Sequence, residues 1–229
     1  MATDEAESKA RRADVLHRMT RSGLYLVTDD RLAPDVLIER LTAAIKAGAD
    51  VVQFRDKRMD REAVAAVGKR VAETCRSLGA MFIVNDDAQL AADLDADGIH
   101  VGQEDQSPAE VRKIVGPDQI IGLSVSHLHE ADAAAQDPDL DYIGFGALFN
   151  TPTKPDAEPA GPEMLAEARK LVAFPIVGIG GVTAANLAPA FKAGADSVAV
   201  VSAVFSAPDP AAATRELLAA IKEARHAAH

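Results

Sequence analysis

Short β-branched runs alternate with longer Ala-rich segments of helical period from residue 23 onward. The runs predict eight strands, at 24–27, 51–54, 81–84, 98–101, 120–124, 142–145, 176–179 and 198–201. Amphipathic stretches at 33–47, 61–78 and 183–193 predict helices between them, and 211–225 predicts a closing one. Several strands are apolar throughout, as expected where both faces are covered. Strands that alternate with helices pair in parallel through right-handed crossovers. Four of them are introduced by an aspartate, Asp50, Asp97, Asp141 and Asp196, with Ala-Gly-Ala before the first and the last. These are the even-numbered strands, a recurrence that suits the alternating layers of a (β/α)8 barrel. The same aspartates also read as plain punctuation between a helix and a buried strand. The expected architecture is α/β, a single TIM barrel over 21–229. A charged, helix-compatible extension at 1–20 either caps the barrel bottom or is a frayed arm. An open doubly wound sheet is the alternative.

Composition narrows the class. The 229 residues, 48% of them hydrophobic, exclude a disordered chain and suffice for one barrel. No apolar run approaches the roughly 20 residues that cross a bilayer. The acidic, polar start is unlike a secretory leader. A single cysteine, Cys75, excludes an intramolecular disulfide and a Cys-rich zinc site. With 24 Lys+Arg against 35 Asp+Glu the net charge is −11, the wrong sign for a duplex nucleic-acid binder. The expectation is a cytoplasmic protein whose partners are small molecules, with neither nucleic acid nor membrane among them. Composition leaves the oligomeric state open.

The carboxyl ends of barrel strands are where chemistry sits, and here they are rich in functional groups. After the second strand, alternation sends Gln53, Arg55 and Lys57 of Gln53-Phe-Arg-Asp-Lys57 to one side and Phe54 to the other. With Phe54 against the helices, the other three face the mouth and suit a charged phosphate; taken alone, the segment also reads as a solvated charge run at a strand end. After the third and fourth strands stand Asn85-Asp86-Asp87 and Gly102-Gln-Glu-Asp105. Adjacent acidic clusters can hold a hard cation such as Mg²⁺; helix capping by Asn85 or Asp86, and by Asp105 or Ser107, is the other reading. The fifth strand ends in Ser124-Val-Ser-His127, which lacks the elbow and carboxylate of a nucleophilic triad. Ser124 reads as a donor to substrate or a cap, and His100 as a structural residue. The long stretch 146–161 reads as a lid carrying Thr151, Thr153 and Lys154, stiffened by Pro152 and Pro155. Gly180-Gly181 after the seventh strand, with a helix start near Thr183, and Val201-Ser202 after the eighth suit a phosphate cradle of backbone N–H groups. A monophosphate cradle facing a carboxylate–cation site implies transfer from a diphosphate donor to a phosphorylated acceptor.

Taken together, Gln53-Phe-Arg-Asp-Lys57, Val84-Asn-Asp-Asp87, Asp97-Gly-Ile-His-Val-Gly-Gln-Glu-Asp105, Thr151-Pro-Thr-Lys154 and Val177-Gly-Ile-Gly-Gly181 resemble the thiamine phosphate synthase family. The similarity runs from about Gly23 to about Pro210. It implies a transferase that joins 4-amino-5-hydroxymethyl-2-methylpyrimidine diphosphate to thiazole phosphate with Mg²⁺. By position, the resemblance implies that Gln53, Arg55 and Lys57 bind the pyrimidine diphosphate, with Phe54, Asp56 and Asn85 beside them. Asp86 and Asp105 would hold Mg²⁺, and Ser124 would contact the pyrimidine. Thr151, Pro152 and Thr153 would meet the thiazole phosphate, and Lys154 the leaving diphosphate. Gly181, Val201 and Ser202 would cradle the thiazole phosphate. Arg55, Lys57, Lys154 and Ser124 would carry catalysis. Three positions depart from the family's habit: Asp56 for Glu, Asn150 for Pro and Ser126 for His. A thiazole tautomerase-like isomerase and a non-catalytic barrel binding thiamine precursors are the alternatives; neither needs the diphosphate–metal set.

Overall fold

The computed structural model describes residues 2–151 and 159–228. The order is α1 (Ala2–Ser22), β1 (Leu24–Val27), α2 (Pro34–Lys46), β2 (Val51–Phe54), α3 (Arg61–Leu78), β3 (Met81–Asn85), α4 (Ala88–Asp93), β4 (Gly98–Val101), α5 (Pro108–Val115) and β5 (Ile120–Val125). It continues with α6 (Leu128–Ala135), β6 (Tyr142–Phe145), α7 (Gly161–Leu171), β7 (Ile176–Ile179), α8 (Ala188–Lys192), β8 (Ser197–Val200), α9 (Ser202–Phe205) and α10 (Pro210–Ala228). The eight strands pair in parallel in chain order, and β8 closes on β1. The closed parallel sheet is the TIM barrel expected from the alternation, and the open doubly wound sheet is excluded. Several predicted edges move by a residue or more, β3 and β5 gaining Asn85 and Val125, and two of the shifts bear on the mouth. β8 spans 197–200 because its ladder with β1 ends at the Leu26–Val200 pair, after which Val201 turns into α9. The helix expected from Thr183 begins only at Ala188. Asn186 holds the intervening residues in a turn, its carbonyl accepting the Thr183 N–H (2.7 Å) and its amide donating to the Gly181 carbonyl (2.9 Å).

Period-2 alternation divides the apolar side chains into two cores. Phe54, Val84, Ile99, Ile143 and Val198 face outward into a layer shared with helix residues such as Leu41, Val71 and Leu217. Tyr25, Val51, Met81, Ile83, Ile120 and Tyr142 fill the barrel interior. Met19 of α1 joins that inner core, fully buried, so the N-terminal helix caps the barrel bottom. Arg18 donates to Asp50 (2.8 Å), Arg11 to Asp118 (2.8 Å) and Arg12 to the Pro117 carbonyl (2.8 Å), which ties α1 across the bottom loops. Met19→Ala is expected to cost about 2–5 kcal/mol by emptying this plug. Urea unfolding checks it, and unchanged stability would mean that the plug is not seated.

The repeated aspartates are staples at this closed end. The carboxylates of Asp97, Asp141 and Asp196 accept the N–H groups of Phe82, Ile121 and Ile176 on the preceding strands, at 2.7, 2.8 and 2.8 Å. Each faces an arginine from the helix before that strand pair. Arg112 reaches Asp141 (2.9 Å), Arg169 reaches Asp196 (3.0 Å) and Arg76 attracts Asp97 through space. Arg18 does the same for Asp50 from α1. The recurrence thus belongs to the scaffold, and the mouth lies at the opposite end.

Candidate active site

β2 delivers its residues as alternation requires. Gln53 points inward, only 5% exposed, and its amide donates to the Tyr25 hydroxyl (3.1 Å). Phe54 points outward, its ring lying where a Cβ on Gly68 of α3 would stand 3.0 Å away. Phe54 is therefore held among the helices, away from Gln53, Arg55 and Lys57. Asp56 accepts the N–H groups of Arg58 and Met59 (2.8 and 2.9 Å), which folds the loop after β2 into a turn. Phe54 and Asp56 also line a 550 Å³ cavity with Asn85 and Asp86.

The end of β1, which sequence reasoning passed over, holds Arg55 in place. The Thr28 hydroxyl accepts the Arg55 N–H (2.8 Å) and donates to the Arg55 carbonyl (2.9 Å). The Asp30 carboxylate takes the guanidinium at 3.4 Å. Asp29 beside it is buried, its pKa lowered chiefly by hydrogen bonds from Arg31. The signal was available: Thr28-Asp29-Asp30 follows a strand at its carboxyl end, the position that drew attention elsewhere.

The two acidic clusters divide their labour. Asp87 caps α4 by accepting the Leu90 N–H (2.9 Å), and Ser107 caps α5 in a reciprocal box with Glu110. The α4 cap thus falls on Asp87, past the expected Asn85 or Asp86, while of the two residues expected to cap α5 Ser107 does so and Asp105 does not. Asp86 sits at φ 65°, a conformation that sterics disfavour for most side chains. Its carboxylate meets the Lys57 ammonium at 2.9 Å. Burial raises its pKa, Lys57 opposes that rise, and the adjoining Asp105 carboxylate adds to it. Two neighbouring carboxylates, one of them against an ammonium, offer oxygen atoms that could take a hard cation. Mg²⁺ is commonly held by one or two carboxylates, with phosphate oxygens and water completing six ligands. The pair fits that pattern.

Ser124 does not cap α6; that task falls to Glu130, which accepts the Ser126 and His127 N–H groups (2.6 and 3.1 Å). The Ser124 hydroxyl instead bonds His100 Nε2 at 3.0 Å. His100 is 8% exposed, and burial pushes its pKa down to about 4, so the imidazole is neutral at pH 7. The Gln103 amide donates to the Ser124 carbonyl (2.6 Å) and fixes the strand end.

On the far side of the mouth, the Leu148 and Phe149 N–H groups donate to the Ile179 and Gly180 carbonyls (2.8 and 3.0 Å). Gly181, at φ 65°, lies so close that a Cβ there would meet the Asn150 carbonyl oxygen at 2.3 Å. The bare backbone thus admits loop 146–150. Among the described residues the N–H groups of Gly181, Val201 and Ser202 have no hydrogen-bond acceptor. They leave donors for an anion without the helix start expected at Thr183. Thr151 ends the described part of the lid; Pro152, Thr153 and Lys154 lie outside the described residues.

Cations at β2, a carboxylate pair at β3–β4 and bare N–H groups after β7 and β8 share one mouth. That arrangement defines a (β/α)8 barrel of the phosphate-handling class. The chain belongs to the thiamine monophosphate synthase family, whose profile matches residues 24–204. It is 45% identical over 203 residues to thiamine-phosphate synthase of Roseiflexus sp. (strain RS-1), covering 88% of this chain and 86% of that one. It is 49% identical over 201 residues to the thiamine biosynthesis bifunctional protein ThiED of Geobacter sulfurreducens; this covers 88% of the chain but 40% of that longer relative. Thiamine phosphate pyrophosphorylase from Pyrococcus furiosus superposes with a TM-score of 0.81 at 36% identity, over 90% of this chain and 98% of that one. The family is one of transferases.

Proposed function

We propose that this barrel condenses 4-amino-5-hydroxymethyl-2-methylpyrimidine diphosphate with thiazole phosphate, giving thiamine phosphate and diphosphate, with Mg²⁺ held by Asp86 and Asp105. The observation that carries the reading is the meeting of Lys57 with the Asp86–Asp105 pair, beside a clamped Arg55. An isomerase or a precursor-binding barrel has no use for that set. The phosphorylated substrates do not cross membranes unaided, which suits action in the cytoplasm. Among the described residues no helix is long and apolar enough to cross a membrane.

The reaction breaks the bond between the pyrimidine methylene carbon and the diphosphate oxygen, and the electron pair leaves with the diphosphate. The thiazole nitrogen then supplies the pair for the new C–N bond. That nitrogen carries no proton to remove, so the step asks for no general base. Bound Mg²⁺ supplies positive charge to the departing diphosphate. Arg55 and Lys57 stabilise the same charge from β2, and Lys154 does so from the lid. Gly181, Val201 and Ser202 hold the acceptor's phosphate, and Thr151, Pro152 and Thr153 are assigned to the thiazole phosphate by the family pattern. Gln53, Asn85 and Ser124 orient the pyrimidine. Catalysis is mainly charge stabilisation and alignment.

Purified protein given both substrates and Mg²⁺ is expected to release diphosphate and form thiamine phosphate, and to stop when EDTA is added. Failure to form the product with both substrates and the metal present would refute the reading. Lys154→Ala is expected to slow turnover by about 10²-fold while leaving thiazole phosphate binding nearly intact. Calorimetric titration beside steady-state kinetics separates the two; equal losses in both would reduce Lys154 to a substrate-positioning group.

A further inference from the structure

An unbroken chain of polar side chains runs through the barrel interior beneath the mouth. The Gln53 amide nitrogen bonds the Tyr25 hydroxyl (3.1 Å), which bonds the Tyr142 hydroxyl (3.0 Å). Tyr142 bonds His100 Nδ1 (3.1 Å), and His100 Nε2 bonds Ser124 Oγ (3.0 Å). The links come from β2, β1, β6, β4 and β5. Glycines make room for them. A Cβ at Gly122 would stand 2.1 Å from the Tyr142 ring, and one at Gly144 would stand 3.0 Å from the His100 ring. Burial raises the pKa of both phenols and lowers that of the imidazole, so every member is uncharged at neutral pH.

Proton counting then dictates how such a chain behaves. Each phenol has one hydrogen to give, and a neutral imidazole has one N–H and one bare nitrogen. Both phenols are buried and have no other hydrogen-bond partner among the described residues, so their hydrogens are used within the chain only when all the bonds point the same way. When Gln53 donates, Tyr25 gives its hydrogen to Tyr142 and Tyr142 gives its own to His100 Nδ1. His100 then carries its proton on Nε2 and donates to Ser124, whose own hydrogen is left for the mouth. Gln53 meanwhile has its amide oxygen left to face the mouth. The reverse sense exchanges every role. Ser124 is thus free to donate to a ligand only in the first sense; in the reverse sense its hydrogen goes to His100 and its oxygen can only accept.

From this we infer that Tyr25, Tyr142 and His100 are positioning residues that lock Gln53 and Ser124 into one matched donor–acceptor pair. The pair selects a ring ligand with a hydrogen-bond donor toward one end and an acceptor toward the other. An aminopyrimidine, with its amino group and ring nitrogens, has that complement, and to this extent the inference rests on the function proposed above. The coupling itself belongs to the ligand-free protein and is read there.

The test is ¹⁵N NMR of the His100 ring in ligand-free protein at pH 8. The native chain is expected to show the proton on Nε2. A carboxylate can only accept, so Gln53→Glu reverses the chain and moves the proton to Nδ1, three hydrogen bonds from the substitution. In the Tyr142→Phe background the chain is cut, and Gln53→Glu leaves the His100 signals where Tyr142→Phe alone puts them. A His100 tautomer indifferent to Gln53→Glu overturns the inference, and so does one that responds equally with the chain cut. Kinetics supply a second readout. Tyr142→Phe is expected to raise KM for the pyrimidine diphosphate about 3- to 10-fold, the scale of one lost hydrogen bond, with KM for thiazole phosphate unchanged. Parallel rises in both would mean general loosening of the barrel and overturn it. Absence of any turnover in the native protein would refute the proposed function and leave the NMR result to stand or fall alone.

Discussion

Arg55→Ala is expected to lower kcat/KM by about 10²–10³, the usual penalty for removing one preorganised donor aimed at developing charge. The guanidinium stands on a clamp made before substrate arrives, with Thr28 gripping its backbone at 2.8 and 2.9 Å and Asp30 its side chain at 3.4 Å. Little reorganisation is then needed when the diphosphate departs. Arg55→Lys keeps the charge but loses the planar fork, so it should recover only part of the loss. Steady-state kinetics with both substrates decide the matter. An Arg55→Ala protein within a few-fold of native would remove this residue from the chemistry. Thr28→Val, which deletes the clamp and spares the charge, should fall between the two.

Asp86→Asn is expected to have opposite effects on activity and stability. Activity should drop by about 10²–10³, because the neutral amide is a poor partner for a hard cation and for Lys57. Stability of the metal-free protein at pH 7 should rise. The Asp86 pKa is raised in the fold, through burial first, against the pull of Lys57 and with Asp105 adding to the rise. A carboxyl whose pKa is raised by folding is costly in its ionised form to the native state. That cost is complete above the folded pKa and vanishes below the unfolded value of about 3.9. The stabilisation by Asn should therefore be full at neutral pH and disappear as the pH falls through the carboxylate range. Asparagine tolerates the φ of 65° at this position, so backbone strain does not mask the effect. Thermal melts in EDTA at pH 7 and pH 3.5 are the check. A lower Tm at pH 7 would show that the Lys57 pair outweighs burial.

Much of this could be read along the chain. Period-2 alternation placed Gln53 inward and Phe54 outward, and both lie so. The strands were legible because parallel barrel strands are short, continuous apolar runs with sharp edges. What failed was whatever depended on a choice between neighbours. Asp86 and Asp87 are chemically alike, and only the backbone angles decide that Asp87 caps α4 while Asp86 turns to Lys57. A helix from Thr183 suited the composition, yet the Asn186 side chain competes for the backbone groups that helix needs. The interior relay was out of reach altogether. Tyr25 and Tyr142 are 117 residues apart, and closure of the sheet alone makes them neighbours. His100 lies buried as the structural residue expected, with Tyr142 and Ser124 as partners that no local pattern could name.

The arginine–aspartate staples at the barrel bottom have a consequence for how the molecule can be divided. Arg18 with Asp50, Arg76 with Asp97, Arg112 with Asp141 and Arg169 with Asp196 each fall within one successive quarter of the chain. Each quarter carries two strands and the helices before them. None of these four pairs crosses from one quarter to the next, although α1 reaches across, with Arg12 at 3.4 Å from Asp141 and Arg18 also attracting Asp97. A backbone break between β4 and α5 therefore leaves all four intact, and Arg11 and Arg12 of α1 still reach across it to Asp118 and Asp141. A break between β3 and β4 separates Asp97 from both the Phe82 N–H and Arg76. The protein is thus modular at its foot and shared at its mouth, where Arg55, Asp86, Ser124 and Gly181 come from all four quarters and none suffices alone.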